Sequence, residues 1–138
     1  MKHLLRFVAG GLVYYLVEVV WRFFMNHGTA SPLMMPMGGL VFLVVMLAED
    51  KHLPIWLGSL LGGATAVLCE LIVGSVLLFG FGIRLWHYGR INWNGIIALD
   101  WSLIWCGVCL GLILSRRLIE HIVKKHAEKR GKNNGKTV

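Results

Sequence analysis

The chain has 138 residues, 57% of them hydrophobic and 15% charged, with a mean hydropathy of +0.67. Those values exclude an ordinary water-soluble domain, and the length leaves room for one small helix bundle and no second domain. The net charge of +7 does not mark a nucleic-acid-binding face, because eight of the fourteen Lys and Arg residues follow Leu114, beside the last apolar block, where bases set membrane topology.

Taken in chain order, the apolar blocks predict four membrane spans, at about residues 4–24, 33–48, 54–79 and 94–114. Each approaches the roughly 20 residues needed to cross about 30 Å of hydrocarbon. The second is the shortest and contains Pro36. The short basic N-terminus precedes an apolar run too long for a signal peptide, so the first span is read as retained. Four spans put both termini on one side. Lys2, Arg6, Lys51 and the eight C-terminal bases lie there, against Arg22, Arg84 and Arg90 on the other side. The positive-inside rule places both termini in the cytoplasm.

The loop between the third and fourth spans, "GFGIRLWHYGRINWN", is rich in Trp, Tyr and Arg and suits the outer interface. Beyond the fourth span, residues 115–130 read as a cytoplasmic basic amphipathic helix, with Leu118, Ile119, Ile122 and Val123 as its apolar stripe. Its expected partner is anionic lipid. Residues 131–138 read as a disordered tail. Residues 1–114 form the membrane domain.

The chain repeats itself at a distance of 52 residues: "GGLVYYLVEVV" from Gly10 is echoed by "GGATAVLCELI" from Gly62. The glycine pair, Leu16 or Leu68, and Glu18 or Glu70 fall in register. This predicts two similar helical hairpins in a parallel repeat. The fold class is therefore all-α, an integral membrane four-helix bundle.

Counted along the spans at 1.5 Å per residue, Glu18, Glu70 and Asp100 fall about 6 Å to the outer side of the midplane. Gly58, Gly62 and Ala66 lead to Glu70 in steps of four, the spacing of close helix contacts in membranes, so Glu70 is expected to face inward. Asp100, Ile104, Gly107 and Gly111 share a face and give the same expectation for Asp100. Ionised groups in lipid are costly and are paired, protonated or functional. Arg22 stands one turn after Glu18, the favourable order for an ion pair. Arg84, His87 and Arg90 are further cations in the loop.

Two readings stand side by side. In one, the acids line a polar cavity that binds a proton, a cation or a polar solute. In the other, they form a salt-bridge cluster that locks the bundle.

Cys69, Cys106 and Cys109 all fall in apolar blocks and provide no disulfide framework; Cys106 and Cys109 read as small packing residues. Met25, His27, Met34, Met35 and Met37 carry ligand types that suit Cu(I), but methionine is ordinary membrane filler, so no metal and no cofactor is expected. No nucleophile–base spacing points to an enzyme.

The order "EVVWR" (Glu18 to Arg22), His27, Met34 or Met35, Gly38-Gly39, "LCELIVG" (Leu68 to Gly74), "LWHYG" (Leu85 to Gly89), "NWNG" (Asn92 to Gly95) and Trp105 resembles the small bacterial membrane proteins described as ABC-transporter type IV permeases. The likeness runs from about Gly10 to Trp105. The family pattern usually reads Trp-Asp-Tyr-Ser where this chain has Trp86, His87, Tyr88 and Gly89. Its Asn-x-x-Gly-Gln meets Asn92, Gly95 and then Ile96, and Asp100 stands where the family tends to proline. The resemblance implies transport.

The expected function is a permease-like or channel-like component for a small polar or cationic solute. Glu18, Glu70, Asp100 and Arg22 would form its polar centre, with Arg84, Trp86, His87, Tyr88 and Asn92 as cap or gate. So small a permease would work as a homo-oligomer or with a partner membrane subunit. The alternative is a structural or regulatory membrane subunit. The expected partners are lipid and membrane protein, with no nucleic acid.

Overall fold

The computed structural model of the chain describes residues 1–25, 29–89 and 91–134. His27 and Arg90 lie outside the described residues, and with them part of the methionine–histidine group and one of the three outer cations.

Four helices carry the fold. They are α1 (Lys2–Met25), α2 (Met34–Asp50), α3 (Ile55–Ser75) and α4 (Leu99–Asn134). Three of them, α1, α3 and α4, contain stretches long and apolar enough to cross a membrane. α2 has 17 residues and is shorter than a full span. Its start is set by proline chemistry: Pro32 precedes it, and Pro36 occupies the first turn, where a missing N–H costs no helical bond. Pro54, with φ −54° and ψ 142°, stands immediately before α3 and starts it. α3 continues through a π-helical turn over Val76–Gly80.

The loop after α3 contains an element that hydrophobic patterning did not predict. Asn92–Trp93 pairs antiparallel with Ile97–Ala98 to form a short hairpin of two-residue strands. Its turn uses Asn94 and Gly95 at φ 51° and 70°, the left-handed region these residue types enter most readily. The fourth helix accordingly begins at Leu99, after the hairpin. It runs unbroken through residues 131–134, four positions of the expected tail; residues 135–138 are not described.

Lipid tails are as apolar as leucine, so these helices cannot be held by burial from water and depend on close packing instead. The glycine pairs supply it. On α1, Gly11 faces the backbone of Met35, and Gly10 faces Phe42. On α2, Gly38 and Gly39 receive Tyr14 and Phe7 in return. On α3, a Cβ on Gly62 would stand 2.6 Å from both Cys109 Sγ and Val45 Cγ2, and Gly63 lies against Cys106. Each glycine pair of the repeated motif thus receives the helix that follows it. Val41, Val45 and Met46 of α2, Ala66 of α3, and Cys109 and Ile113 of α4 make the central core. The opposite faces, such as Leu12, Val13, Leu16 and Val17 on α1, are exposed and apolar, as lipid contact requires.

At the end of the bundle where α1 begins, the basal end, charges fasten three helices together. Asp50 takes a two-pronged hydrogen bond from Arg6, an Nη2 bond from Arg116 at 3.1 Å, and the Lys2 ammonium at 3.3 Å. Glu49 beside it takes two bonds from Arg117, at 2.8 and 2.9 Å. The Arg6 guanidinium, then that of Arg116, holds the Asp50 carboxyl well below the usual aspartate range. Hydrogen bonding from Arg117 lowers that of Glu49.

Candidate functional site

The site lies toward the other end, under the 84–98 loop, and is built around Glu70. Glu70 is 6% exposed. It follows Gly62 and Ala66 on the face of α3 that the packing pattern turns inward, as the spacing of small residues predicts. Two hydrogen bonds reach its Oε1. The Tyr88 hydroxyl donates at 2.7 Å from the loop, and the Trp105 indole Nε1 donates at 2.9 Å from α4. Both donors are uncharged, and among the described residues no cation pairs with Glu70.

Aromatic contacts extend the site on both sides. Trp105 meets Tyr14 of α1 with ring centroids 5.3 Å apart. Tyr88 stacks on Trp101 at 5.6 Å and an interplanar angle of 29°. One helical turn after Tyr14 comes Glu18, whose Oε1 accepts from Arg22 Nε at 2.7 Å, the pairing expected from their spacing. Glu18 and Glu70 lie within electrostatic reach of each other, and Tyr14 within reach of both. A cleft about the size of one water molecule opens beside Tyr14, Cys69 and Trp105.

The loop is held over this centre by its own backbone. Trp86 Nε1 donates to Ile96 O at 2.8 Å, and the Tyr88 N–H donates to Gly95 O at 3.1 Å. Asn92 Oδ1 accepts the Gly95 N–H at 2.7 Å and fixes the hairpin turn. Arg84 Nη1 donates to Asn94 O at 3.1 Å and contacts His87 Nδ1 at 2.8 Å. Gly74 of α3 lets the loop dock, because a Cβ there would stand 3.2 Å from the Trp86 ring. Of the predicted cap residues, Tyr88 reaches Glu70, while Trp86, Asn92, Arg84 and His87 hold the loop that carries it.

Asp100 is not part of this centre, and its predicted inward placement is corrected. α4 starts at Leu99, so Asp100 lies in the first turn, exposed, with its Oδ1 accepting the Trp101 N–H at 3.0 Å. An acid there favours the positive end of the helix dipole. Asp100, Ile104, Gly107 and Gly111 do share a face, but it is the outer one, and none of the described residues comes within 4 Å of where a Cβ on Gly107 or Gly111 would stand. The packed stripe is Ala98, Ser102, Trp105, Cys109 and Ile113. Sequence reasoning also passed over Trp105 and Tyr14 as site residues. Their signal was helical register, Trp105 one turn after Trp101 and Tyr14 one turn before Glu18, and it is weak in an aromatic-rich chain.

An apolar helical bundle with three helices able to cross a membrane, and a buried carboxylate beneath a polar, aromatic loop, is the architecture of a membrane protein. The family model described as Putative ABC-transporter type IV matches residues 5–136, and the chain belongs to that family. No curated protein and no solved structure matches it.

Proposed function

We propose that the chain is a permease-like subunit of a bacterial inner membrane, with its basal end and both termini in the cytoplasm. In this reading Glu70 is the group that takes up a proton or a small cation. One observation carries it: Glu70 is buried in an apolar bundle, yet its two hydrogen bonds come from neutral donors. A carboxylate so placed is costly until a counter-charge arrives, so a proton or a cation is the species it favours. Glu18 with Arg22, and the hydroxyl of Tyr14, give the solute polar contacts on the α1 side. Tyr88 and its loop cover the site from outside.

The matching packing of the Gly10 and Gly62 pairs supports two related hairpins. Four helices are few for a conduit, and the reading includes a second copy or a partner membrane subunit. On α4, exposed Leu118, Ile119, Ile122 and Val123 beside Lys124 and Lys125 suit contact with anionic lipid. No enzymatic step is assigned.

A second reading is favoured by the convergence of α3, the loop and α4 on one Glu70 oxygen, which is what a brace in a structural subunit would do. The two are separated by reconstituting the purified protein in vesicles and following dissipation of an imposed pH gradient with different external cations. The proposal expects flux in the parent that drops at least about tenfold in Glu70→Gln. Equal flux in both favours the brace.

A further inference from the structure

The contact between Arg84 and His87 has a chemical consequence for the site beneath it. A guanidinium has donors only, so the His87 Nδ1 that faces Arg84 Nη1 at 2.8 Å accepts through its lone pair. His87 is therefore neutral in this arrangement, with its proton on Nε2. If a second proton arrives at Nδ1, the hydrogen bond becomes two donors and two cations facing each other. The same Arg84 nitrogen also holds Asn94 O at 3.1 Å, and the next residue, Gly95, accepts the Tyr88 N–H at 3.1 Å. His87 and Arg84 occupy the space that a side chain on Gly95, at φ 70°, would fill. Displacing Arg84 thus disturbs the turn that positions the Tyr88 backbone, and with it the hydroxyl that reaches Glu70.

We propose that His87 is a pH-responsive positioning residue, whose protonation from the exposed side of the loop releases Tyr88 from Glu70 and opens the site. The inference rests on the reading of Glu70 as the working group and adds its regulation. His87 and Arg84 lie at the surface of the loop, so protons reach the pair without crossing the bundle. Among the described residues, the charged and titratable groups around His87 are Arg84 in its own loop, Tyr88 next to it, and Glu70 of α3 behind Tyr88. Asp100, at the start of α4, has its described hydrogen bond to the Trp101 N–H instead. No described carboxylate is paired with His87 to offset the second charge.

Amide hydrogen exchange of the full chain in lipid discs tests this, read over residues 84–98 and corrected for intrinsic exchange. Between about pH 8 and about pH 5, where an imidazole changes charge, opening in the parent should rise. The expected rise is about fivefold, the effect of two like unit charges about 4 Å apart in bulk water. It should vanish in His87→Gln, which keeps an acceptor but does not titrate, and in Arg84→Gln, which removes the opposing cation. It should persist in Glu70→Gln, a variant that loses flux under the proposed function, so the two ideas fail separately. A pH response that survives in His87→Gln, disappears in Glu70→Gln, or is missing from the parent overturns the proposal.

Discussion

Asp50 and Glu70 are both carboxylates on which three parts of the chain converge, and they sit in opposite company. Around Asp50, at the basal end, the partners are Lys2, Arg6 and Arg116, all cations. Around Glu70 they are a phenol and an indole. The basal acid has its charge cancelled several times over and can only serve as a fastening. The buried acid is held by geometry, and among the described residues no cation pairs with it, which in the proposed function leaves its charge available for chemistry. On the proposed function, two acids in one small bundle divide the work: one end is locked, and the other is poised.

The sharpest way to break this comparison is at the lock. Asp50→Ala leaves Arg6, whose side chain is 16% exposed, without its counter-charge, and leaves Arg116, 25% exposed, with Glu120 alone. Removing one partner of a partly buried ionic network is severe, because the remaining charges stay desolvated. It should lower the melting temperature in detergent more than any other single substitution at the basal end, and replacing Arg6 as well should partly restore it. A loss no larger than that of Arg117→Gln would show that Asp50 fastens nothing.

Acid should reach the lock next. Asp50 ionises at lower pH in the fold than an ordinary aspartate does, first because of Arg6 and then Arg116. Its stabilisation is therefore complete above the usual aspartate value of about 4 and is withdrawn as pH falls below it toward the folded value. Glu49, lowered by Arg117, acts in the same direction. The melting temperature of the parent should change little on this account from about pH 8 to about pH 5 and fall below about pH 4. In Asp50→Asn the acid-induced fall should be smaller. An equal fall in the two proteins would remove Asp50 from the explanation.

The effect of Arg117→Gln should be smaller still. The Arg117 side chain is 41% exposed and that of Glu49 7%, but glutamine keeps an N–H donor for the Glu49 carboxylate and the guanidinium end of the pair is already hydrated. Its melting loss should be less than half that of Asp50→Ala.

Much of this was legible in the chain, for identifiable reasons. The helices follow from apolar length and proline placement. The inward face of α3 follows from Gly58, Gly62 and Ala66, because small residues at steps of four permit close approach. The same rule misled on α4: Gly107 and Gly111 have that spacing on the face away from the bundle, where sequence cannot show whether a neighbour is present. The basal lock was hidden because Arg6, Arg116 and Arg117 also read as topology signals, and Glu49 and Asp50 look like the polar end of a helix. The short hairpin depends on Asn94 and Gly95 at positive φ, a turn signal too brief to weigh against the aromatic loop around it. Tyr88 and Trp105 stand 18 and 35 residues from Glu70, and no local pattern joins them to it.

The central claim, that Glu70 is poised rather than fastened, is tested most directly by melting Glu70→Gln beside the parent and Asp50→Asn in the same detergent. Glutamine keeps a carbonyl-type oxygen for the Tyr88 and Trp105 donors and removes only the charge. The account predicts that Glu70→Gln stays within about 1 kcal/mol of the parent, or gains stability, since no buried cation loses a partner. Asp50→Asn should melt far lower. A loss in Glu70→Gln as large as that in Asp50→Asn would contradict the account and make Glu70 a second fastening.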